Sequence, residues 1–314
     1  MHPVSARQPA AIAVRIARTA VPPRPQRCGR PTILLGHARM RRTERGVARD
    51  VGARRIALAV EYDGGAYSGW QLQHHADTVQ ARLEAAASRV AAEPVRVHCA
   101  GRTDAGVHAS GQFVHFDTQA ERSLRSWVLG INSHLPDDIA VRWAQVVAPD
   151  FHARFSATGR HYRYVILCRP TRSALWRGRA VWTHKALDLG RMRTAGGLLV
   201  GRHDFTSFRA LACQAKSPVR TLRYLHLARQ GDLIVLAVGA DGFLHHMVRN
   251  IAGVLMAIGG GEAPVAWTAE LLALRDRARG GVTAPPHGLY LTGVDYPAHF
   301  GLPTGGDATG PPVL

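Results

Sequence analysis

A glycine-rich segment at residues 101–111 lies between two stretches that alternate between apolar and polar residues. Residues 95–99 precede it and residues 112–116 follow it, and both have the period of two that is typical of half-buried β-strands. The chain is therefore expected to hold this segment as a loop fixed at both ends. Its three glycines allow close approach of a ligand to the backbone, and it carries Arg102 and Asp104.

Two interpretations of Asp104 follow from the residues alone. Aspartates in glycine-rich turns often accept hydrogen bonds from their own backbone, which would make this side chain a turn residue. A carboxylate two residues from a guanidinium, in a loop between strands, is also a candidate for acid-base or nucleophilic chemistry.

The remainder of the chain alternates between strand-like and helix-like patterns, which predicts an α+β fold. The strand-helix-strand order of residues 54–150 indicates a ferredoxin-like half, and residues 151–298 repeat the coarse order as a second half. The predicted helices are 78–90, 123–135, 187–198, 245–258 and 267–274, and the other predicted strands are 55–63, 139–147, 161–167, 221–229, 233–240 and 289–294.

The two ends of the chain differ from this pattern. Residues 1–53 contain eleven arginines against two acidic residues, together with helix-breaking prolines, and we predict a disordered arm. The arm has three further interpretations: a transit peptide, a nonspecific RNA-binding tail, or a segment upstream of a true start at Met40. The glycine- and proline-rich residues 299–314 are predicted to be a flexible tail.

The charge balance points to a polyanionic partner. Forty lysines and arginines against 22 acidic residues give a formal net charge of +18 and a pI of about 11.1, so nucleic acid is the first partner to consider. A genome rich in G and C would also inflate the arginine content. No run approaches the roughly 18 apolar residues of a membrane span. Four scattered cysteines indicate a reducing cytoplasm rather than a disulfide framework or zinc ribbon.

Four motifs, in this order, resemble the tRNA pseudouridine synthase A (TruA) family. They are residues 55–63 with Gly69, Trp70 and Gln71, then residues 101–109, 160–164 and 243–250. The resemblance extends over about 54–296, and four ordered motifs are far more specific than one glycine-rich loop. It implies two ferredoxin-like halves joined through a mostly antiparallel sheet, with helices on one side and a central active-site cleft.

The family resemblance implies an isomerase that converts uridine to pseudouridine at positions 38, 39 and 40 in the anticodon stem-loop of tRNA. It implies a homodimer that uses no cofactor. Two alternatives remain: a catalytically silent basic RNA-binding protein or chaperone, and a nucleotide-dependent enzyme with a phosphate-binding loop. The second is disfavoured because residues 101–111 lack a Gly-Lys-Ser/Thr ending and do not precede a helix.

The resemblance also implies the roles of five side chains. Asp104 would be the catalytic nucleophile or a base at the ribose, and the sequence leaves both routes open. Tyr162 would stack on the uracil and take part in catalysis, and Arg249 would pair with the aspartate. Arg102 would help to move the target nucleotide out of its stack, and Leu289 would pack near the uracil.

The 17 histidines raise the question of a metal. Two adjacent pairs stand out, His74 with His75 and His245 with His246. Neighbouring residues of a helix point about 100° apart, and no carboxylate or cysteine stands at ligand spacing in the sequence. We therefore predict no metal site.

Overall fold

The structure is a computed structural model that describes residues 52–302 of the 314-residue chain. Most of the predicted arm at 1–53 and of the predicted tail at 299–314 lies outside the described residues. In chain order, the elements are β1 (Arg54–Tyr62), α1 (Val79–Ala91), β2 (His98–Cys99), β3 (His108–Thr118), α2 (Leu124–Asn132), β4 (Ile139–Val147), β5 (Gly159–Cys168), β6 (Val181–Thr183), α3 (Leu189–Gly197), β7 (Gly201–Asp204), β8 (Val219–Gln230), β9 (Leu233–Ala240), α4 (Met247–Gly259), α5 (Trp267–Leu274) and β10 (Leu289–Asp295).

The first half has ferredoxin-like topology. Its elements follow the order β1-α1-β2-β3-α2-β4, and its strands lie side by side as β4-β1-β3-β2 with antiparallel pairing. The side chains of Thr78 and Ser123 cap α1 and α2 by accepting hydrogen bonds from the backbone of the first turns. Leu83 of α1 and Trp127 of α2 are buried against Leu58 of β1, so both helices cover one face of these strands.

The second half repeats this topology with additions at its edges. Strands β8, β9, β5 and β10 lie side by side, again with antiparallel pairing, and α3 and α4 form the two crossovers. Strand β7 extends the sheet beyond β8, and β6 pairs in parallel with β5. Met192 of α3 and Ile251 of α4 pack in the same apolar core as Leu236 of β9.

Strand β10 joins the halves into one sheet. It pairs in parallel with β3, through Tyr290 opposite His108, and antiparallel with β5, through Leu291 opposite Tyr162. Tyr162 packs against the helix-covered core of each half, so the helices of both halves lie on the same face of the sheet. The predicted α+β class, with ferredoxin-like halves, a mostly antiparallel sheet and helices on one side, is confirmed.

Several element boundaries differ from the sequence prediction. Of the predicted strand at 95–99, residues 98 and 99 are extended, and β3 begins at His108, so the predicted loop 101–111 ends at Val107. Glycine and serine at the start of β3 hide the alternation, while pairing with β1 and β10 supplies the order. Strands β6 and β7 were not predicted, because three or four residues are too few to show a period.

Two further differences concern α4 and the chain end. Helix α4 begins at Met247 rather than at residue 245. Phe300 is buried, with its ring centroid 5.1 Å from that of Phe151, so the first residues of the predicted tail pack on the sheet. The described cysteines, Cys99, Cys168 and Cys213, are free thiols. Within residues 52–302, no helix has the length and apolar character that crossing a bilayer requires.

Candidate active site

The loop that carries Asp104 is fixed by a buried glutamine. Gln112 of β3 donates from Nε2 to the carbonyl oxygen of Gly101 at 2.6 Å and accepts from the Gly101 N–H at 3.3 Å. On the other side of Arg102, the Thr103 hydroxyl lies 2.8 Å from the hydroxyl of Tyr62, within hydrogen-bonding distance. The loop is thus held immediately before Asp104 by side chains from β1 and β3.

Gly69, in the first family-like motif, lies in close contact with the same loop. Gly69 has a φ of +89°, and a Cβ at this position would lie 2.8 Å from the carbonyl oxygen of Thr103. The next residue, Trp70, donates its backbone N–H to that carbonyl at 3.0 Å. A side chain at residue 69 would displace the loop, which gives this motif a structural role in positioning Asp104.

The carboxylate of Asp104 lies among three nitrogen-bearing side chains. Arg249 donates from Nη1 to Oδ2 at 3.0 Å. His246 Nε2 lies 3.3 Å from Oδ2, and His245 Nε2 lies 3.2 Å from Oδ1. Because these contacts are to side chains of the second half, the carboxylate does not serve merely to close its own turn.

Arg249 is itself held in place. Its Nε donates to the carbonyl oxygen of Ala284 at 2.9 Å, and the Ala284 N–H donates back to the Arg249 carbonyl at 3.1 Å. The guanidinium is largely buried, and Asp104 is 24% exposed. The predicted pairing of Arg249 with Asp104 is therefore present in the geometry.

The histidine pair was placed wrongly by the sequence analysis. His246 has a left-handed backbone, with φ of +62°, and it stands before the first turn of α4. Both imidazoles can therefore point at Asp104, whereas the argument against a metal assumed a regular helix. Burial lowers the pKa of His246, with His245 and Arg249 also lowering it and Asp104 opposing them.

Asp104, His245 and His246 form a possible metal-binding set. One donor atom from each lies within 4.8 Å of the others. The set contains the nitrogen and oxygen donors that Zn²⁺ accepts. Arg249 competes for Oδ2, because its guanidinium occupies the position of a cation beside that oxygen.

Tyr162 lies on β5 next to the loop. Its ring meets that of Phe243 edge to face at 5.1 Å, and a Cβ on Gly101 would lie 3.6 Å from its hydroxyl oxygen. Burial raises the pKa of Tyr162 far above its usual value; Arg160 opposes this and the charge of Asp104 adds to it. The phenol is therefore neutral at neutral pH and can donate a hydrogen bond. Tyr164, two residues further along β5, is buried in the core and donates to the Pro285 carbonyl.

A cleft of about 1350 Å³ at the junction of the halves contains all the predicted site residues in its lining. Leu289 is almost fully buried in its wall, and Arg102 is exposed. The cleft is larger than a typical small-molecule pocket of roughly 300–1,000 Å³. Its charged lining within residues 52–302 is basic and comprises Arg96, Arg102, Arg154, Arg160, Arg220 and Arg249 with Asp104 and Asp241.

Two features of the cleft were missed by the sequence analysis. The contacts of His245 and His246 with Asp104 had a signal, since both belong to the fourth motif. The sequence analysis assigned no role to the segment around Phe155, although residues 152, 154 and 155 line the cleft.

Comparison with known proteins agrees with the geometry. A family model for tRNA pseudouridine synthase matches residues 58–156 and 195–297. The chain is 58% identical over 248 residues to tRNA pseudouridine synthase A of Methylococcus capsulatus, covering 79% of this chain and 92% of the relative. It is 59% identical over 253 residues to the protein of that name from Pseudomonas aeruginosa, covering 80% and 89%. Against that of Nitrosococcus oceani it is 60% identical over 249 residues, covering 79% and 96%.

Proposed function

The chain belongs to the tRNA pseudouridine synthase family, and from that premise we propose that it isomerises uridine at positions 38, 39 and 40 in the anticodon stem-loop of tRNA. The enzyme is an isomerase. The bond from N1 of uracil to C1′ of ribose breaks, the uracil turns, and a bond from C5 to C1′ forms. C5 loses its proton and N1 gains one when its bond to C1′ has broken, so the reaction has no net redox change or hydrolysis.

One observation carries this proposal: the Asp104 carboxylate is held by Arg249 at 3.0 Å inside a basic cleft that Tyr162 also lines. Either route that we consider requires a charged carboxylate near the sugar, as nucleophile at C1′ or as base at the ribose. Arg249 and His246 contact Oδ2. We assign Oδ1 to the ribose, because its contact is the more exposed His245.

The detached uracil has to stay in the cleft until it rejoins the sugar. We assign the face of the Tyr162 ring to stacking on uracil, with Phe243 supporting that ring edge to face. Leu289 lies on β10, beside β5, and closes the apolar side of the cleft. Arg102 is exposed at the cleft and is assigned to moving the target nucleotide out of its stack.

We further propose a homodimer acting in the cytoplasm. A formal charge of +18 exceeds what one stem-loop contact needs, and a second copy would extend the basic surface to the tRNA body. The free thiols fit a reducing compartment. Light scattering at micromolar concentration is expected to give the mass of two chains. One chain's mass with full activity would contradict the dimer.

The test is direct. Purified protein is incubated with unmodified tRNA transcripts that carry uridine at position 38, 39 or 40, and pseudouridine is mapped at single-nucleotide resolution. We expect modification at these positions and none when all three are cytidine. Tight tRNA binding without any pseudouridine would instead favour the catalytically silent RNA-binding protein.

A further inference from the structure

Residues 152–156 form a turn in the wall of the cleft, apart from the residues around Asp104. Phe155 is 76% exposed and lines the cleft. One exposed apolar side chain on a protein surface needs no explanation. The surroundings of Phe155 are unusual, because the charged residues that line this cleft are mostly arginines.

Phe155 is the outermost ring of a cluster of four. Its centroid lies 4.4 Å from that of His152, which lies 5.5 Å from that of His98 and 4.6 Å from that of His115. His98 and His115 are stacked, with centroids 5.0 Å apart and planes 24° apart. We call these four side chains the ring cluster. On its protein side, Phe155 therefore packs on aromatic rings rather than facing solvent.

The backbone that presents Phe155 is fixed. His152 Nδ1 accepts hydrogen bonds from the N–H groups of Arg154 and Phe155 at 3.1 and 3.3 Å. Ser156 closes the turn, because its hydroxyl accepts from the His152 N–H at 2.9 Å and its own N–H donates to the His152 carbonyl. The ring is thus exposed on a preorganised turn and loses little backbone entropy on binding.

One arginine ties this turn to the catalytic loop. Arg160 Nη2 donates to the carbonyl oxygen of Arg154 at 2.7 Å and to that of Ala100 at 3.2 Å. Ala100 immediately precedes the loop that carries Asp104. The ring cluster therefore stands beside the reaction site rather than at a remote part of the surface.

The charge around Phe155 suits a polyanion. The guanidinium carbon of Arg154 lies 5.5 Å from the centroid of the Phe155 ring. Burial, followed by neighbouring charges, lowers the pKa values of His98 and His152, so these imidazoles are neutral at neutral pH and the cation beside Phe155 is Arg154. The turn thus offers a flat ring for a base next to a cation for a phosphate, the combination that recurs in single-stranded nucleic-acid sites.

We propose that Phe155, backed by the ring cluster and flanked by Arg154, is a stacking subsite for an unpaired nucleobase near the target uridine. The inference rests on the proposed function in one respect, that the ligand of the cleft is RNA. Enzymes that take one nucleotide out of a stem leave its neighbours unstacked, and an aromatic face compensates for the lost stacking. Every base has such a face, so this subsite holds the RNA without reading its sequence.

The test compares Phe155→Ala with Phe155→Trp, and uses Leu175→Ala as the matched control. Leu175 is also 76% exposed but does not line the cleft. We expect Phe155→Ala to raise KM and the Kd for tRNA by about 5- to 150-fold, the range of one base stacked on one aromatic ring. The kcat at saturating tRNA should change by no more than a few-fold, and Phe155→Trp should retain wild-type KM. Unchanged KM in Phe155→Ala, or an equal loss in Leu175→Ala, would overturn the subsite.

A second measurement identifies the base. Stem-loop RNAs with a single abasic site at successive loop positions are bound by wild-type protein and by Phe155→Ala. At one position, the losses from the abasic site and from Phe155→Ala should not add, because both remove the same stack. Additive losses at every position would contradict the proposal. Failure of the proposed function is distinguishable, because wild-type protein would then make no pseudouridine in any substrate.

Discussion

Arg249 Nη1 lies 3.0 Å from Oδ2 of Asp104, although 145 residues separate the two in the chain. Asp104 comes from the loop between β2 and β3 of the first half, and Arg249 from α4 of the second. The Asp104–Arg249 pair therefore exists only when the halves are joined through β10.

We expect Arg249→Met to lower kcat by about 10- to 150-fold, the effect of losing a hydrogen bond to a charged group. Arg249→Lys should lower kcat less than Arg249→Met, because lysine keeps the positive charge. It should still lower kcat, because one ammonium group has to reach both Asp104 and the Ala284 carbonyl. Single-turnover kinetics on tRNA measures both variants. Arg229→Met is the control, since Arg229 also binds a backbone carbonyl but lies outside the cleft. Equal losses in Arg229→Met would refute a specific role for the pair.

Gln112 should be needed for the position of the catalytic loop. Gln112→Ala leaves both backbone groups of Gly101 without their side-chain partner, and we expect it to destabilise the fold by about 1–3 kcal/mol. It should also lower kcat, because Gly101 precedes Asp104 by three residues. Chemical denaturation and activity below the transition report the two effects. Gln145→Ala, which loses longer hydrogen bonds to residues 300 and 301, should retain kcat.

Acid should unfold the protein partly through His115. Burial, followed by Arg55 and its histidine neighbours, lowers the pKa of His115 to about 3 from 6.5. The folded form therefore binds fewer protons than the unfolded form between these values. Stability is complete above about pH 6.5 and is lost as the pH falls, by up to about 1.4 kcal/mol per pH unit for one such group.

Denaturation curves from pH 7.5 to 4.5 test this expectation. His115→Gln keeps an acceptor for the Ala153 N–H, which bonds to Nδ1 at 3.1 Å in the wild type, and should flatten the pH dependence. The exposed His74→Gln should not alter its slope. An identical slope in His115→Gln and the wild type would contradict the assignment.

Metal ions should be dispensable and zinc inhibitory. The proposed isomerisation uses no metal, so EDTA should leave the rate unchanged. Added Zn²⁺ should inhibit, because binding to Asp104, His245 and His246 would occupy the catalytic carboxylate. His245→Ala should weaken the inhibition and His74→Ala should not. Loss of activity in EDTA that Zn²⁺ restores would reverse this interpretation.

Much of the fold follows from sequence periodicity, because long strands such as β4 and β9 and helices such as α5 carry complete local patterns. The predicted bounds of these three elements are those of the structure. The features that the sequence analysis predicted wrongly depend on contacts between residues far apart in the chain. Strand β3 is extended at its start by pairing with β10, and the left-handed backbone of His246 is not encoded in any local period. The helix rule therefore separated two histidines that the structure brings to one carboxylate.

Part of the candidate site, like part of the fold, could be predicted from the sequence. Asp104, Tyr162 and Arg249 were chosen from motifs, and the structure brings all three to one cleft. Residues 152–156 gave no such signal, because the ring cluster around Phe155 also contains His98 of β2 and His115 of β3. Side chains that function through neighbours from other strands cannot be recognised before the sheet is known.

The most direct test of the account is pseudouridine mapping with Asp104→Asn beside wild-type protein, on one tRNA that carries uridine at positions 38 to 40. The amide keeps the size of the side chain but removes its charge. We expect no pseudouridine at these positions, with the Kd for tRNA within a few-fold of wild type because binding rests on many phosphate contacts. Turnover near the wild-type rate in a pure preparation of Asp104→Asn would contradict the assignment of Asp104 as the catalytic residue.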